Sequence, residues 1–341
     1  APWVIFGSIF FTGFFSWVQI DLLLVLFTVL AITGIVSAAH DNRAGWLLTG
    51  VAIGLGVLAK GPVILLQVLP VALLAPLWRR DTAACCWWSW YAGVALSVTI
   101  GAAIALGWAL PAAAAGGDVY REAILWGQTA NRLVGSFAHA HPAWWYLPWL
   151  PVLFAPWILL PGLWSALRYS RPWHDEGLRL CLVWLAGAFV LMSLVSGKQI
   201  KYLLPLLPAF ALLFARVSSR ANRDDRGSRP WLPAVALLVS GGLFMVLPRT
   251  LNQAPWIHNV QPLWGGLLVV AAISMVLLRP VPMSKYPLRM TLFSVFVTGV
   301  IYAGIFRTAA PAYDMQAVSR VLAAAQSDAV GSVVFCTSSR V

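Results

Sequence analysis

Lys60 has a position from which a cationic side chain can meet the headgroup of a membrane lipid. It lies between two apolar runs and is followed by Gly61-Pro62, a pair that is typical of a turn opening a new helix. A cation held beside a helix N-terminus makes a favourable site for phosphate. An isolated lysine at a helix end is more often an anchor that reaches towards the headgroups, so Lys60 indicates a phosphate site only in company with other residues.

A second group of candidates follows a later apolar run. Lys198, Lys201 and Tyr202 all lie in the short segment 196–205. Two lysines and a tyrosine at a membrane interface suit an anionic lipid headgroup, whereas a tyrosine alone is typical of the interfacial aromatic belt. The spacing therefore predicts that this segment contributes cations to a phosphate site.

The longest polar connection carries further candidates. Arg132 lies near the end of segment 119–133, which has the pattern of an amphipathic helix at the interface. His139 and His141 follow and precede an aromatic run that ends at Tyr146. Two histidines at this spacing can bind a metal, although the spacing is common by chance.

A carboxylate stands at the head of another apolar run. Asp21 is costly in that position unless it is paired or faces water, which makes it a functional candidate. Together these patterns predict cations, one carboxylate and a histidine pair on the same face of a membrane. That arrangement suits chemistry on a lipid phosphate.

The elements that must position these residues are membrane helices. Hydrophobic residues make up 60% of the chain and charged residues 10%, against about 25% charged in a soluble domain. The basic residues lie in short loops between apolar runs, a pattern that excludes nucleic acid as the partner. Windows of about 19 residues predict eleven membrane helices, at 1–17, 22–39, 44–59, 62–78, 90–110, 146–167, 180–196, 203–217, 231–248, 262–278 and 289–306.

The distribution of Lys and Arg predicts the orientation. Alternate sets of loops hold fourteen and nine of the 23 basic residues, and the richer set is expected on the cytoplasmic side. The candidate residues then lie on the external side.

The sequence predicts two regions. Residues 1–306 form the membrane domain, and 307–341 begin an external α/β domain with a helix at 315–326 and a strand at 331–337. The chain has no initiator Met, and no closing element follows the last strand. We expect both ends to be cut.

Two motifs are more specific than the single residues. Leu58-Ala59-Lys60-Gly61-Pro62 resembles an "L-x-K-G-P" signature, and residues 201–209 resemble "K-Y-L-L-P-x-x-P-A". Both signatures are those of bacterial C-type glycosyltransferases related to aminoarabinose transferase and to protein O-mannosyltransferases.

Two weaker matches extend this resemblance. Arg132 and residues 139–146 resemble the family's "R-F … H-x-x-P-x-W-Y-Y" loop, with Leu133 where the family prefers Phe. Asp21 resembles the aspartate of its "T-D" pair, with Ile20 in place of Thr. The four matches run in order over almost the whole chain.

The resemblance implies an all-α polytopic protein of the bacterial inner membrane with the C-type glycosyltransferase fold and its active site on the periplasmic side. It implies a sugar donor carried on polyprenyl phosphate, inversion at the anomeric carbon, and a lipid (lipid A-like) or protein acceptor. Some members carry one divalent metal ion. The family's catalytic aspartate lies in the loop after its first membrane helix, which has no counterpart in this chain, so the general base is unassigned.

These expectations give each candidate a role. Asp21 and Tyr146 orient the donor sugar, and His139, which falls on the family pattern, is the metal candidate. The donor phosphate is bound by Lys60, Arg132, Lys198, Lys201 and Tyr202.

The alternative is a transporter or flippase that handles substrates linked to polyprenyl phosphate. Transporters carry ionisable residues near the bilayer midplane, whereas the predicted helices here have no charge near their centres. That favours interfacial chemistry. The sequence does not identify the sugar or the acceptor.

Overall fold

The computed structural model describes residues 1–15, 20–79, 86–122, 141–220, 230–250, 255–278, 285–314, 316, 319, 320 and 323. These residues are helical almost throughout. The α-helices are α1 Pro2–Phe6, α2 Ile9–Phe15, α3 Ile20–Ala39, α4 Ala44–Lys60, α5 Val63–Leu73, α6 Ala75–Trp78, α7 Trp87–Ala115, α8 Gly117–Glu122, α9 Leu150–Leu153, α10 Pro161–Tyr169, α11 Glu176–Leu194, α12 Leu206–Arg220, α13 Trp231–Thr250, α14 Pro262–Leu277, α15 Tyr286–Ile301 and α16 Arg307–Ala309.

Shorter turns join these helices. Six are 3-10 helices, at Ala143–Trp149, Trp157–Leu159, Pro172–His174, Ile200–Leu203, Pro255–Asn259 and Ala310–Tyr313, and one is a π-helix at Tyr302–Phe306. The described residues contain no β-strand. The all-α class is therefore confirmed for this part of the chain.

Within the described residues, five helical segments are long and apolar enough to cross a membrane, namely Ile20–Ala39, Trp87–Ala115, Glu176–Leu194, Trp231–Thr250 and Tyr286–Ala312. Four further apolar helices of the described part, α4, α5, α12 and α14, are shorter. The chain is thus a multi-pass membrane protein, while the predicted count of eleven membrane helices is not confirmed.

Three of the predicted helices are interrupted. The segment 62–78 is divided at Leu74 into α5 and α6. The segment 1–17 is divided into α1 and α2, which are separated at Gly7 and Ser8. The segment 146–167 is divided into short 3-10 and α-helical pieces that end in α10, and prolines 148, 151, 156 and 161 recur along it. Proline removes a helical hydrogen bond and clashes with the preceding turn, so a continuous helix was the wrong prediction there.

The α3–α4 hairpin packs against α7 through small residues on α4. A side chain at Gly50 would place its Cβ 2.8 Å from the Cβ of Ile100, and one at Gly54 would lie 2.7 Å from the Cβ of Ile104. Both distances are too short for real Cβ contacts. Glycine at these positions allows the close helix approach that stabilises packing within membranes.

A second helix pair, α11 and α12, is fixed at the end away from Lys198. The buried Asp175 caps α11 by accepting from the Leu178 amide at 2.8 Å. It also accepts from the Arg216 Nε of α12 at 2.8 Å. Because this capped ion pair ties the two helices together, the connection between them at the opposite end has a defined position.

The chain divides into two compact units. The first comprises residues 1–235 and 273–298, and the second comprises 236–272 and 299–341. Within the second unit Gly241 lies close to Gly265, where an added Cβ would be 2.9 Å from the Gly265 carbonyl oxygen. The described candidate site residues all belong to the first unit.

The predicted external domain at 307–341 lies almost entirely outside the described residues. Its first residues continue the helical turns of Arg307–Ala309 and Ala310–Tyr313. The helix predicted at 315–326 falls largely outside the described part, and the strand at 331–337 falls wholly outside it. The division at residue 306 stays a prediction.

Candidate functional site

Asp21 and Lys60 form an ion pair where α3 begins and α4 ends. Asp21 is in the first turn of α3 and is 4% exposed, and Lys60 is the last residue of α4. The Lys60 Nζ donates to the Asp21 Oδ1. A carboxylate is favourable at a helix N-terminus and a cation at a helix C-terminus, so both helix dipoles stabilise the pair.

The turn after Lys60 depends on glycine. Gly61 has φ 78° and ψ −169°, a conformation that is essentially restricted to glycine. Its amide donates to the Val57 carbonyl at 2.7 Å and thereby ends α4. The turn leads directly into α5, so Lys60 stands at the junction of two helices.

Tyr202, which belongs to the motif at residues 201–209, contacts Lys60 of the Lys-Gly-Pro motif. The Lys60 Nζ lies 4.2 Å from the centroid of the Tyr202 ring, which is the geometry of a cation–π contact. Tyr202 belongs to the 3-10 helix Ile200–Leu203, in the connection between α11 and α12. Residues 60 and 202, which are 142 positions apart in the sequence, are thus in contact through the Lys60 ammonium.

Lys198 is in the same connection but its surroundings are different. The residue is 2% exposed, and its Nζ donates to the backbone carbonyls of His141, at 2.9 Å, and Val195. Burial lowers the pKa of the Lys198 ammonium below its usual value. The ammonium is engaged with backbone oxygens inside the protein.

Tyr146 contacts this connection from the other side. Its side chain is fully buried, and its hydroxyl donates to the Gln199 carbonyl at 3.3 Å. The neighbouring Trp145 ring stacks on the His141 ring, with centroids 4.3 Å apart and planes 8° apart. Tyr146 and the aromatic run therefore support the connection that carries Tyr202.

The remaining predicted site residues are Lys201, Arg132 and His139. Lys201 is partly exposed. Arg132 and His139 lie outside the described residues. Their predicted roles stay predictions.

The described residues do not assemble a metal-binding set. No group of three His, Cys, Asp or Glu side chains comes together in the described ranges, and the carboxylate at the centre of the site, Asp21, is already paired with an ammonium. A divalent ion would have to displace that cation. The metal prediction depends on His139, which lies outside the described residues.

Asp21 and Lys60 were separate candidates from the sequence, and their pairing was not predicted. A signal was available, because α3 and α4 are joined by only four residues, 40–43. A short connection makes neighbouring helices antiparallel, which places the start of α3 beside the end of α4. The contact between Lys60 and Tyr202 had no comparable signal, because it depends on how α11 and α12 pack.

Comparison with known proteins gives one family match and several relatives. The family described as dolichyl-phosphate-mannose-protein mannosyltransferase matches residues 4–107. The undecaprenyl phosphate-alpha-4-amino-4-deoxy-L-arabinose arabinosyl transferase of Pseudomonas paraeruginosa is 36% identical over 183 residues, which are 51% of this chain and 31% of that protein. The protein of the same name from Edwardsiella ictaluri is 32% identical over 241 residues, 67% of this chain and 40% of that protein.

Two solved structures share the fold. The crystal structure of ArnT from Cupriavidus metallidurans bound to undecaprenyl phosphate has a TM-score of 0.64 at 18% identity and covers 89% of this chain and 57% of that one. The structure of ArnT in the apo state has a TM-score of 0.59 at 16% identity, with the same coverage.

The match to relatives covers part of their length. The chain spans 31% to 45% of the curated relatives described by the same transferase name. The matched family covers α1 to α7, which include Asp21 and Lys60. The resemblance drawn from the two motifs is confirmed, and the chain belongs to the family of C-type glycosyltransferases that includes the aminoarabinose transferases and the protein mannosyltransferase-like proteins.

Proposed function

We propose that this chain is the membrane core of a glycosyltransferase that moves a sugar from a polyprenyl-phosphate donor to a lipid acceptor. The observation that carries the proposal is the meeting of Lys60 and Tyr202, with Asp21 as the counter-charge. The two most specific motifs of the family thereby converge on one cation beside the start of α5. The names of the curated relatives make an aminoarabinose carried on undecaprenyl phosphate the first donor to test.

The reaction calls for a fixed cation at the leaving group. The acceptor hydroxyl attacks the anomeric carbon while the bond from that carbon to the phosphate oxygen breaks, and negative charge grows on the phosphate. Oriented donors in a site partly shielded from water stabilise that charge most in the transition state. Lys60 is 16% exposed at its side chain, which suits this role, and Lys201 and Arg132 are the further cations of the proposal.

Asp21 has a supporting role in this scheme. Its carboxylate holds the Lys60 ammonium at the end of α4 when no donor is bound. When the donor phosphate draws Lys60 towards itself, one carboxylate oxygen becomes available to a hydroxyl or amino group of the sugar. Tyr146 acts at a greater distance, through the Gln199 carbonyl that its hydroxyl contacts.

The proposed location is the bacterial inner membrane, with the site on the periplasmic side. The basis is the distribution of basic residues, of which the richer set lies in the loops away from Lys60. Arg79 belongs to that set, and its guanidinium donates to the Ala39 carbonyl at 3.1 Å, at the end of α3 far from Asp21.

The test is an assay of donor cleavage in membranes that contain the protein in its complete reading frame. A panel of sugars on undecaprenyl phosphate is supplied with a lipid acceptor, and release of undecaprenyl phosphate is measured for the wild type and for Lys60→Ala. We expect release from one donor, reduced about 100-fold or more by the substitution.

A charge-matched control uses the same helix. Arg43→Ala removes one cation from the exposed opposite end of α4 and should leave release unchanged. Absence of release from every donor, in a protein that is folded and membrane-inserted, would favour a flippase or transporter for the same lipids.

A further inference from the structure

Lys198 is the most deeply buried charged side chain of the candidate site, and its contacts differ from those of a phosphate ligand. Its exposure is 2%, while Lys60, the proposed ligand, has a side chain exposed to 16%. An ammonium that binds a lipid headgroup needs access to it. Burial instead favours a role inside the protein, where a charged group is stable only when its protons are satisfied.

Two of the three protons of the Lys198 ammonium are donated to backbone oxygens, from two segments. One acceptor is the carbonyl of Val195, the residue that follows the last turn of α11. A cation at this position satisfies an orphan carbonyl and is favourable with the helix dipole. The other acceptor is the carbonyl of His141, at 2.9 Å, from a segment more than fifty residues earlier.

Two further hydrogen bonds join the same two segments. The His141 amide donates to the Ser196 carbonyl at 3.2 Å, and the Tyr146 hydroxyl donates to the Gln199 carbonyl at 3.3 Å. Together with the bond from Lys198 to His141, they tie residues 141–146 to residues 195–199. We call these three bonds the clasp.

The clasp is followed directly by the 3-10 helix that holds Tyr202. Tyr202 in turn covers Lys60, whose Nζ lies 4.2 Å from the ring centroid. The position of that ring is therefore set by where the 195–199 connection is held. A small displacement at the reacting centre can lower turnover about 100-fold.

We propose that Lys198 is a positioning residue whose ammonium closes the clasp between residues 141–146 and 195–199, and so holds Tyr202 over Lys60, rather than a ligand of the donor phosphate. This inference rests on the proposed function only for its effect on turnover. The clasp itself exists without donor, and it can be tested without it.

The test is amide hydrogen exchange of the donor-free protein in the membrane, compared between the wild type and Lys198→Met. Methionine is similar in size and apolar, so it fills the buried position without the donors. We expect the amides of residues 141–146 to exchange about tenfold faster or more in Lys198→Met, because a bond from a charged donor has been lost. Helix α7 should exchange at the wild-type rate, which shows that the protein is folded.

A neighbouring lysine supplies the matched control. Lys201→Met removes the same charge three residues away and should leave exchange at 141–146 unchanged. Tyr146→Phe removes one of the weaker bonds of the clasp and should give a smaller increase. If Lys198→Met fails to fold, Tyr146→Phe still tests the clasp that the proposal requires, and exchange at 141–146 unchanged from the wild type would overturn the proposal.

Adding undecaprenyl phosphate distinguishes the two roles of Lys198. If Lys198 is a phosphate ligand, Lys198→Met should leave amide exchange in the donor-free protein unchanged. The variant should then lack the protection from exchange that the lipid gives to the wild type. That result would overturn the proposal. Faster donor-free exchange, together with turnover reduced about tenfold or more in Lys198→Met and largely recovered in Lys198→Arg, would establish it. If Lys198→Met exchanges faster but the wild type shows no measurable turnover, the proposed function is refuted and the clasp still stands.

Discussion

At the scale of single residues, the site is built around one buried carboxylate and the lysine that neutralises it. Removing one member of such a pair leaves the other charge buried and unpaired, which is more costly than losing the pair as a whole. Asp21 is 5% exposed at its side chain, so its charge depends strongly on Lys60. The ion pair is therefore the centre of the proposed site, and each of its charges depends on the other.

This dependence predicts a stability difference between single and double variants. Lys60→Met should destabilise the protein by about 3 kcal/mol, because it leaves the Asp21 carboxylate without its counter-charge. The double variant Asp21→Asn/Lys60→Met removes both charges and should recover most of that loss. Thermal unfolding in detergent measures both, and a double variant no more stable than Lys60→Met would show that the unpaired Asp21 carboxylate is not the source of the loss.

At the scale of elements, the position of Lys60 is fixed by how closely α4 approaches α7. The glycines at 50 and 54 are one turn apart and face Ile100 and Ile104. A side chain at Gly54 would push the two helices apart, and Lys60 lies less than two turns further along α4. Packing within the membrane is thereby connected to the site at its surface.

A pair of valine substitutions tests this connection. Gly54→Val should destabilise the protein by about 1–3 kcal/mol, because its Cβ alone would lie 2.7 Å from the Cβ of Ile104. Gly107→Val in α7 is the matched control, since a Cβ there meets nothing within 4 Å. Both are read as shifts in Tm. Equal shifts for the two variants would contradict the packing argument.

Helices were predictable from the sequence to the extent that the membrane imposes a length and a composition. The predicted segments at 22–39 and 231–248 match α3 and α13 closely. The single helix predicted at 146–167 was wrong, because a hydropathy window does not distinguish a proline-rich apolar run from a helical one. Asp21, Lys60 and Tyr202 were each candidates from the sequence, but their contacts were not predicted, because these depend on distances between helices.

The role of Lys198 illustrates the same limit. From sequence, a lysine beside Lys201 and Tyr202 has the pattern of a headgroup ligand. The structure places its ammonium against two backbone carbonyls instead. Backbone acceptors have no signature in the sequence, because every residue carries one.

At the scale of the whole molecule, the two ends of the first unit differ in their cations. The end that carries Asp21 has lysines at 60, 198 and 201, and the opposite ends of the same helices carry arginines such as Arg79 and Arg216. Arg79 also lies 4.8 Å from the Trp90 ring, and Arg216 pairs with Asp175. These two arginines are bound into the structure at their own end, whereas the Lys60 side chain at the other end is 16% exposed.

The central claim is that the Lys60 site binds the phosphate of a polyprenyl lipid, and a binding measurement tests it most directly. Native mass spectrometry of the purified protein with undecaprenyl phosphate gives the Kd for the wild type, Lys60→Ala and the control Arg43→Ala. The account predicts that Lys60→Ala weakens binding about tenfold or more, as loss of a charged hydrogen-bond donor should, and that Arg43→Ala binds as the wild type does. Equal affinity for all three proteins would contradict it.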